Sequence, residues 1–136
     1  MPPTPPAASG APARRAGRFT DLVRQIVSAV PEGRATTYGL INETIGVHTG
    51  VPGSALAVGR AMSRSGGTLP WWRVVRADGT IDHRLAPDAH PRWRAEGLPL
   101  RHLGDELAID LNACLWDAPI DWSPDAPDAP DRAADA

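Results

Sequence analysis

Apolar residues recur at helical spacing from Phe19 onward. Phe19, Leu22, Val23, Ile26, Val27 and Val30 fall on one stripe, the pattern of an amphipathic helix with one buried face. Thr20 or Asp21 suits its opening, and Pro31 ends it. Pro31-Glu32-Gly33 reads as a turn. Thr36 and Thr37 are good N-caps for a short second helix that turns Leu40, Ile41 and Ile45 inward, with Gly46 closing it. Two glycines and a proline mark Val47 to Gly53 as a loop. Ser54 then caps a third helix, from Ala55 to about Arg64. Ala55, Ala57, Gly59 and Ala61 make that helix small-sided, so it can lie close to a neighbouring helix or to the floor of a groove.

The period changes after Pro70. Trp71-Trp72-Arg73-Val74-Val75-Arg76 alternates, is rich in β-branched and aromatic residues, and runs into Asp78-Gly79, a strong hairpin signal. A hairpin over 72–82 is expected. Consecutive strand residues point to opposite faces, so only one of Trp71 and Trp72 can enter a given core. The other needs a second surface, a pocket or a partner. Helix, turn, helix and hairpin in this order read as a winged helix-turn-helix, mostly α with a small β-hairpin. Beyond it, Pro87 to Glu96 reads as a helix anchored by Trp93 and ended by Gly97. Leu98 to His102 reads as a connection. Leu107, Leu111, Leu115 and Trp116 then pack a last segment back on the body. Residues 1–17 and 119–136 have little to bury and are expected to be disordered. That leaves one domain, from 18 to 118.

Net charge is −2, which alone argues against a polyanionic partner, but the distribution is uneven. Residues 54–101 hold eight Arg against Asp78, Asp82, Asp88 and Glu96, about +4, while the acids gather in the tail from Asp117. A basic middle suits phosphates. Arg60 and Arg64 fall at i and i+4 on one face of the third helix, where they could reach phosphates. The competing reading is a solvated face in a chain that uses Arg for all 14 of its basic residues. Cys114, the one cysteine, excludes an intramolecular disulfide and reads as a small packed side chain. His48, His83, His90 and His102 make no metal-binding spacing. No apolar run approaches the roughly 18 residues of a membrane span, and no signal core is apparent, so the protein is read as cytoplasmic.

Several segments resemble one family. Pro70-Trp71-Trp72-Arg73-Val74-Val75 is similar to the Pro-Cys-His-Arg-Val-Val signature of the O6-alkylguanine-DNA alkyltransferases, with tryptophan at the cysteine and at the histidine. Pro31-Glu32-Gly33-Arg34-Ala35-Thr36-Thr37-Tyr38-Gly39 resembles that family's Pro-x-Gly-x-Val-x-Thr-Tyr-Gly. Ala55-Leu56-Ala57-Val58-Gly59 resembles its Ala-Arg-Ala-Val-Gly, and Glu96-Gly97 its late Glu-Gly. The likeness covers residues 19–100. A subgroup, the alkyltransferase-like proteins, carries tryptophan for the acceptor cysteine, and the chain resembles it.

The resemblance implies a DNA-binding domain that recognises O6-alkylguanine by rotating the nucleotide out of the helix, without alkyl transfer. Tryptophan cannot serve as the nucleophile, so no enzyme activity and no cofactor or metal are expected. Tyr38, Trp71, Trp72 and Arg73 are implied at the lesion. Thr37, Leu56, Arg60 and Arg64 are implied at the DNA. The implied partner is double-stranded DNA carrying alkylated guanine, bound by a monomer and handed to other repair proteins, nucleotide excision repair among them. Leu56 departs from the pattern, standing where the family has an arginine that fills the hole left by the flipped base. A rival reading is therefore a winged-helix interaction module that has lost lesion binding. Glu96, without the family's histidine, reads as an ordinary helix-end carboxylate.

Overall fold

The computed structural model describes residues 5–124. Residues 1–4 and 125–136, the outer parts of the two segments expected to be disordered, lie outside the described residues.

Three helices build the first half. Helix α1 spans Pro5–Ala29, so it begins well before the apolar stripe, in residues expected to lack structure. The five alanines of that stretch favour helix, while Gly10 and Pro12 oppose it, and the composition does not by itself account for this extension. The stripe behaves as its spacing requires, with Phe19, Leu22, Val23, Ile26, Val27 and Val30 all buried. Helix α2 spans Tyr38–Thr49, and the Thr37 hydroxyl caps it by accepting the Leu40 N–H at 3.0 Å. It runs past Gly46, the residue expected to close it, and stops at Gly50, whose φ of 75° lets its N–H return to the Gly46 carbonyl. Helix α3 spans Ala55–Arg64 behind its Ser54 cap. It buries Val58, Ala61 and Met62 against α1 and α2.

The sheets fall elsewhere than the alternation suggested. Strand β1, Thr36–Thr37, pairs in parallel with β2, Val74–Val75, with α2 and α3 in the crossover between them. The two valines of β2 point to opposite faces. Val74 joins a core made by α1, α2 and α3, and Val75 joins a second core with Ala35, Ile81, Trp93 and Ile109. Asp78-Gly79 does make a tight turn: Asp78 accepts the Thr80 N–H and hydroxyl, and the Arg76 N–H donates to Thr80. No hairpin over 72–82 follows from it. Residues 71–73 form a 3-10 turn rather than a strand, β2 is only two residues long, and Ile81 leaves for the second core. The hairpin is instead β3, Leu100–Leu103, with β4, Glu106–Ile109. Gly104, at φ 61°, takes the first position of its two-residue loop, as hairpin turns of that kind demand. Leu98–His102, expected to be a connection, therefore ends in a strand.

Helix α4, Ala86–Ala95, carries the fully buried Trp93. Helix α5, Leu111–Cys114, is a single turn, and Cys114 is buried as expected. The chain then crosses back over the first core. The Trp116 N–H bonds the Ala35 carbonyl at 2.7 Å, and the Arg34 guanidinium bonds the Cys114 and Leu115 carbonyls. Trp116 and Trp122 pack against the first core, whereas Leu115, expected inside, is 41% exposed. Trp122 also meets His48 edge-on at 5.5 Å, so order continues past 119, where the tail was expected to begin.

Candidate functional site

The outer face of α3 opens onto a cleft of about 630 Å³. Leu56, Gly59, Arg60 and Ser63 form one wall. Tyr38, at the first position of α2, and Trp71 form the back. Arg76, Asp82, Arg84 and Leu85 close the far side. Gly59 faces the Tyr38 ring, and a Cβ there would lie 3.9 Å from it, an ordinary contact. Burial pushes the Tyr38 hydroxyl pKa up, although Arg76 opposes the shift. It stays neutral and is a hydrogen-bond donor at neutral pH. Arg84 binds Asp82 through its side chain and backbone N–H, which lowers the Asp82 pKa to about 2. The carboxylate on this wall is thus already engaged, while Arg60 and Arg76 add positive charge.

Trp71 and Trp72 divide the labour because the 3-10 turn points successive side chains about 120° apart. The rings meet edge to face, 5.8 Å between centroids. Trp71 lines the cleft and touches both cores. Trp72 does not line the cleft. It packs on the second core, and its Nε1 donates to Glu96 Oε2 at 2.7 Å. Arg73 is not at the cleft either. Its Nη2 meets Glu96 Oε2 at 2.6 Å and its Nη1 donates to the Val30 carbonyl at 3.0 Å. Trp72 and Arg73, both expected at a lesion, are thus held by the carboxylate of Glu96 and do not face the cleft. Of the residues expected at DNA, Thr37 is spent on its cap and is 8% exposed. Leu56 and Arg60 stand on the cleft wall, and Arg64 lies exposed at the end of the same helix.

Glu96 is the hub that sequence reasoning missed. It accepts from Trp72, from Arg73 and from the Gly33 N–H. Burial alone would raise its pKa, but the hydrogen bonds from Arg73, Trp72 and Gly33, with the charge of Arg73, hold it below the ordinary value. The signal lay in Trp72, since an indole N–H at the histidine position still offers that glutamate a donor. Arg92 stacks over the Trp72 ring at 4.4 Å and covers it from outside. Arg76, Asp82, Arg84 and Leu85 were also missed as cleft residues: Arg76 directly follows the short β2, and the other three lie beyond the Asp78-Gly79 turn, where the chain departs from the expected hairpin. No cluster of three or more potential metal ligands occurs among the described residues.

Helices α2 and α3, joined by a short loop and packed on α1 with the outer face of α3 exposed beside guanidinium groups, form the helix-turn-helix body of a winged-helix type of DNA-binding domain, although the wing expected over 72–82 does not form. Its family follows from the sequence: the chain belongs to the family of the 6-O-methylguanine DNA methyltransferase DNA-binding domain, whose sequence profile matches residues 18–97. With Trp71 at the acceptor position, it is an alkyltransferase-like protein. The DNA base-flipping protein of Escherichia coli (strain K12) is 39% identical over 103 residues, covering 72% of this chain and 74% of that protein. A protein of the same description from Vibrio parahaemolyticus is 31% identical over 103 residues, covering 73% and 96%. The crystal structure of S. pombe Atl1 in complex with damaged DNA containing O6-carboxymethylguanine superposes with a TM-score of 0.64. It is 28% identical, covering 75% of this chain and 97% of that one.

Proposed function

We propose that this protein recognises O6-alkylguanine in duplex DNA, holds the damaged nucleotide flipped into the cleft beside α3, and transfers nothing. The observation that carries the reading is Trp71 on the cleft wall, at the position of the family's acceptor cysteine. An indole offers a stacking surface and no thiolate. Flipping costs a few kcal/mol, less where pairing is already damaged, so selectivity for a lesion needs no chemistry. Tyr38 and Trp71 contact the flipped nucleotide, while Arg60 and Arg64 meet phosphates. The bound complex then marks the site for other repair proteins, nucleotide excision repair among them.

The test is gel-shift binding to matched duplexes with and without O6-methylguanine, followed by a search for transferred radiolabelled methyl. The expected result is preference for the damaged duplex and no label on denatured protein. Equal affinity for the two duplexes would leave only the interaction-module reading. Stoichiometric labelling would make the protein a transferase.

A further inference from the structure

The inward face of α3 is fixed by Val58, Ala61 and Met62, which fixes the outward one. Leu56, Arg60 and Ser63 follow each other along the cleft wall, at spacings that keep them on one side of a helix. Leu56 leads this stripe and is 64% exposed. It stands between Ala55 and Ala57 on the first turn, so it projects alone. An apolar side chain in water at the mouth of a cleft is what an opened base stack accepts.

Its chemistry sets a limit on what it can read. Base identity is read through hydrogen bonds to base edges. Leucine has no donor or acceptor, and neither do its alanine neighbours. Arg60 lies one turn further, about 6 Å along the helix axis, and its guanidinium suits a phosphate.

We infer that Leu56 fills the vacated stack without reading the orphaned base, so that the protein binds an O6-alkylguanine alike whatever base stands opposite. This rests on the lesion-flipping reading above. A lesion opposite cytosine, where alkylation leaves it, and one opposite whichever base a polymerase later inserts are then equivalent targets.

The experiment measures Kd for O6-methylguanine duplexes with C, T, A or G opposite. Each value is referred to the melting stability of the same naked duplex, because a weaker pair opens more cheaply. Leu56 is exposed, so its variants keep the fold. For the wild type, the four corrected affinities should agree within threefold. Leu56→Met, still apolar, should keep them within threefold. Leu56→Arg, which adds donors, should spread them beyond it. Leu56→Ala should reduce the preference for damage by one common factor at every pairing. A wild-type spread beyond threefold overturns the inference, as does an undiminished preference in Leu56→Ala. If wild type binds damaged and undamaged DNA equally, the lesion reading itself fails, and this inference with it. If the preference for damage stands but depends on the opposite base, only this inference fails.

Discussion

Glu96 shows how one side chain can engage two neighbouring residues that the sequence placed at the site. Its carboxylate is 9% exposed and faces Arg73 at 14%, with the Trp72 indole on the same oxygen. Removing one partner of such a pair leaves a buried charge uncompensated, typically at a cost of about 3–5 kcal/mol. Glu96→Ala should therefore lower stability by about 3 kcal/mol in denaturant melts. The acid limb gives a finer test. The folded carboxyl titrates below its ordinary value of 4.5. Its contribution is complete above that value and is lost as pH falls through the lower, folded pKa. Wild type should lose melting temperature below about pH 4.5, and Glu96→Gln should lose less over the same range. Asp78 and Asp82 have the same sign, lowered by Thr80 and by Arg84 respectively, but they are common to both proteins and cancel in the difference. An identical acid limb in both would remove Glu96 from the framework. At this scale the sequence was informative about Trp71 and silent about its neighbours. Alternation predicted opposite faces for Trp71 and Trp72, and their roles do diverge. The 3-10 turn that separates them left no periodic trace, so Trp72 and Arg73 looked like site residues.

Among the elements, the Asp-Gly turn was legible and its consequence was not. The dipeptide makes the turn, but a hairpin also needs two strands free to pair, and β2 is committed to β1. What holds the turn is a contact invisible in sequence. Gly79 has φ 88°, a Cβ there would fall 2.1 Å from the Ile109 carbonyl oxygen, and the Ile109 N–H donates to the Gly79 carbonyl. Gly79→Ala should cost about 3 kcal/mol, combining a strained φ with a backbone clash. A melt unchanged within about 0.5 kcal/mol, the usual range for surface substitutions, would show that the turn can relax. Helix α3 was the opposite case. Its Ser54 cap, its length and its buried face follow from local pattern, so its outward residues could be named in advance. Arg60→Ala and Arg64→Ala should each weaken DNA binding on any sequence. Each should also reduce the slope of log K against log salt by about 0.9. If both affinity and slope are unchanged, α3 is not the element that meets the backbone.

Across the whole molecule, two cores share the short β1–β2 pair, and the cleft opens where Trp71 touches both. The segment after α5 ties down the turn before β1 and the end of α2 through residues that do not line the cleft. Arg34 grips the Cys114 and Leu115 carbonyls, Trp116 bonds Ala35, and Trp122 closes on His48. Composition concealed this, because a run of Asp, Ala and Pro hides one tryptophan whose partner lies more than seventy residues earlier. Trp122 is partly buried on the first core. A tryptophan buries up to roughly 150–250 Å², and about half of that at 25 cal/mol per Å² is roughly 2 kcal/mol. Trp122→Ala should lower stability by about that much, which for a domain near 100 residues is roughly 8–16 °C in Tm. DNA affinity offers the control. Measured well below the lowered Tm, binding to O6-methylguanine duplex should stay within about twofold of wild type, because 2 kcal/mol of folding stability leaves the folded fraction near one when several remain. A lost preference for damage in a fully folded Trp122→Ala protein would show that this strap reaches the cleft through α2. An unchanged Tm would show that Trp122 closes on His48 without contributing to the fold.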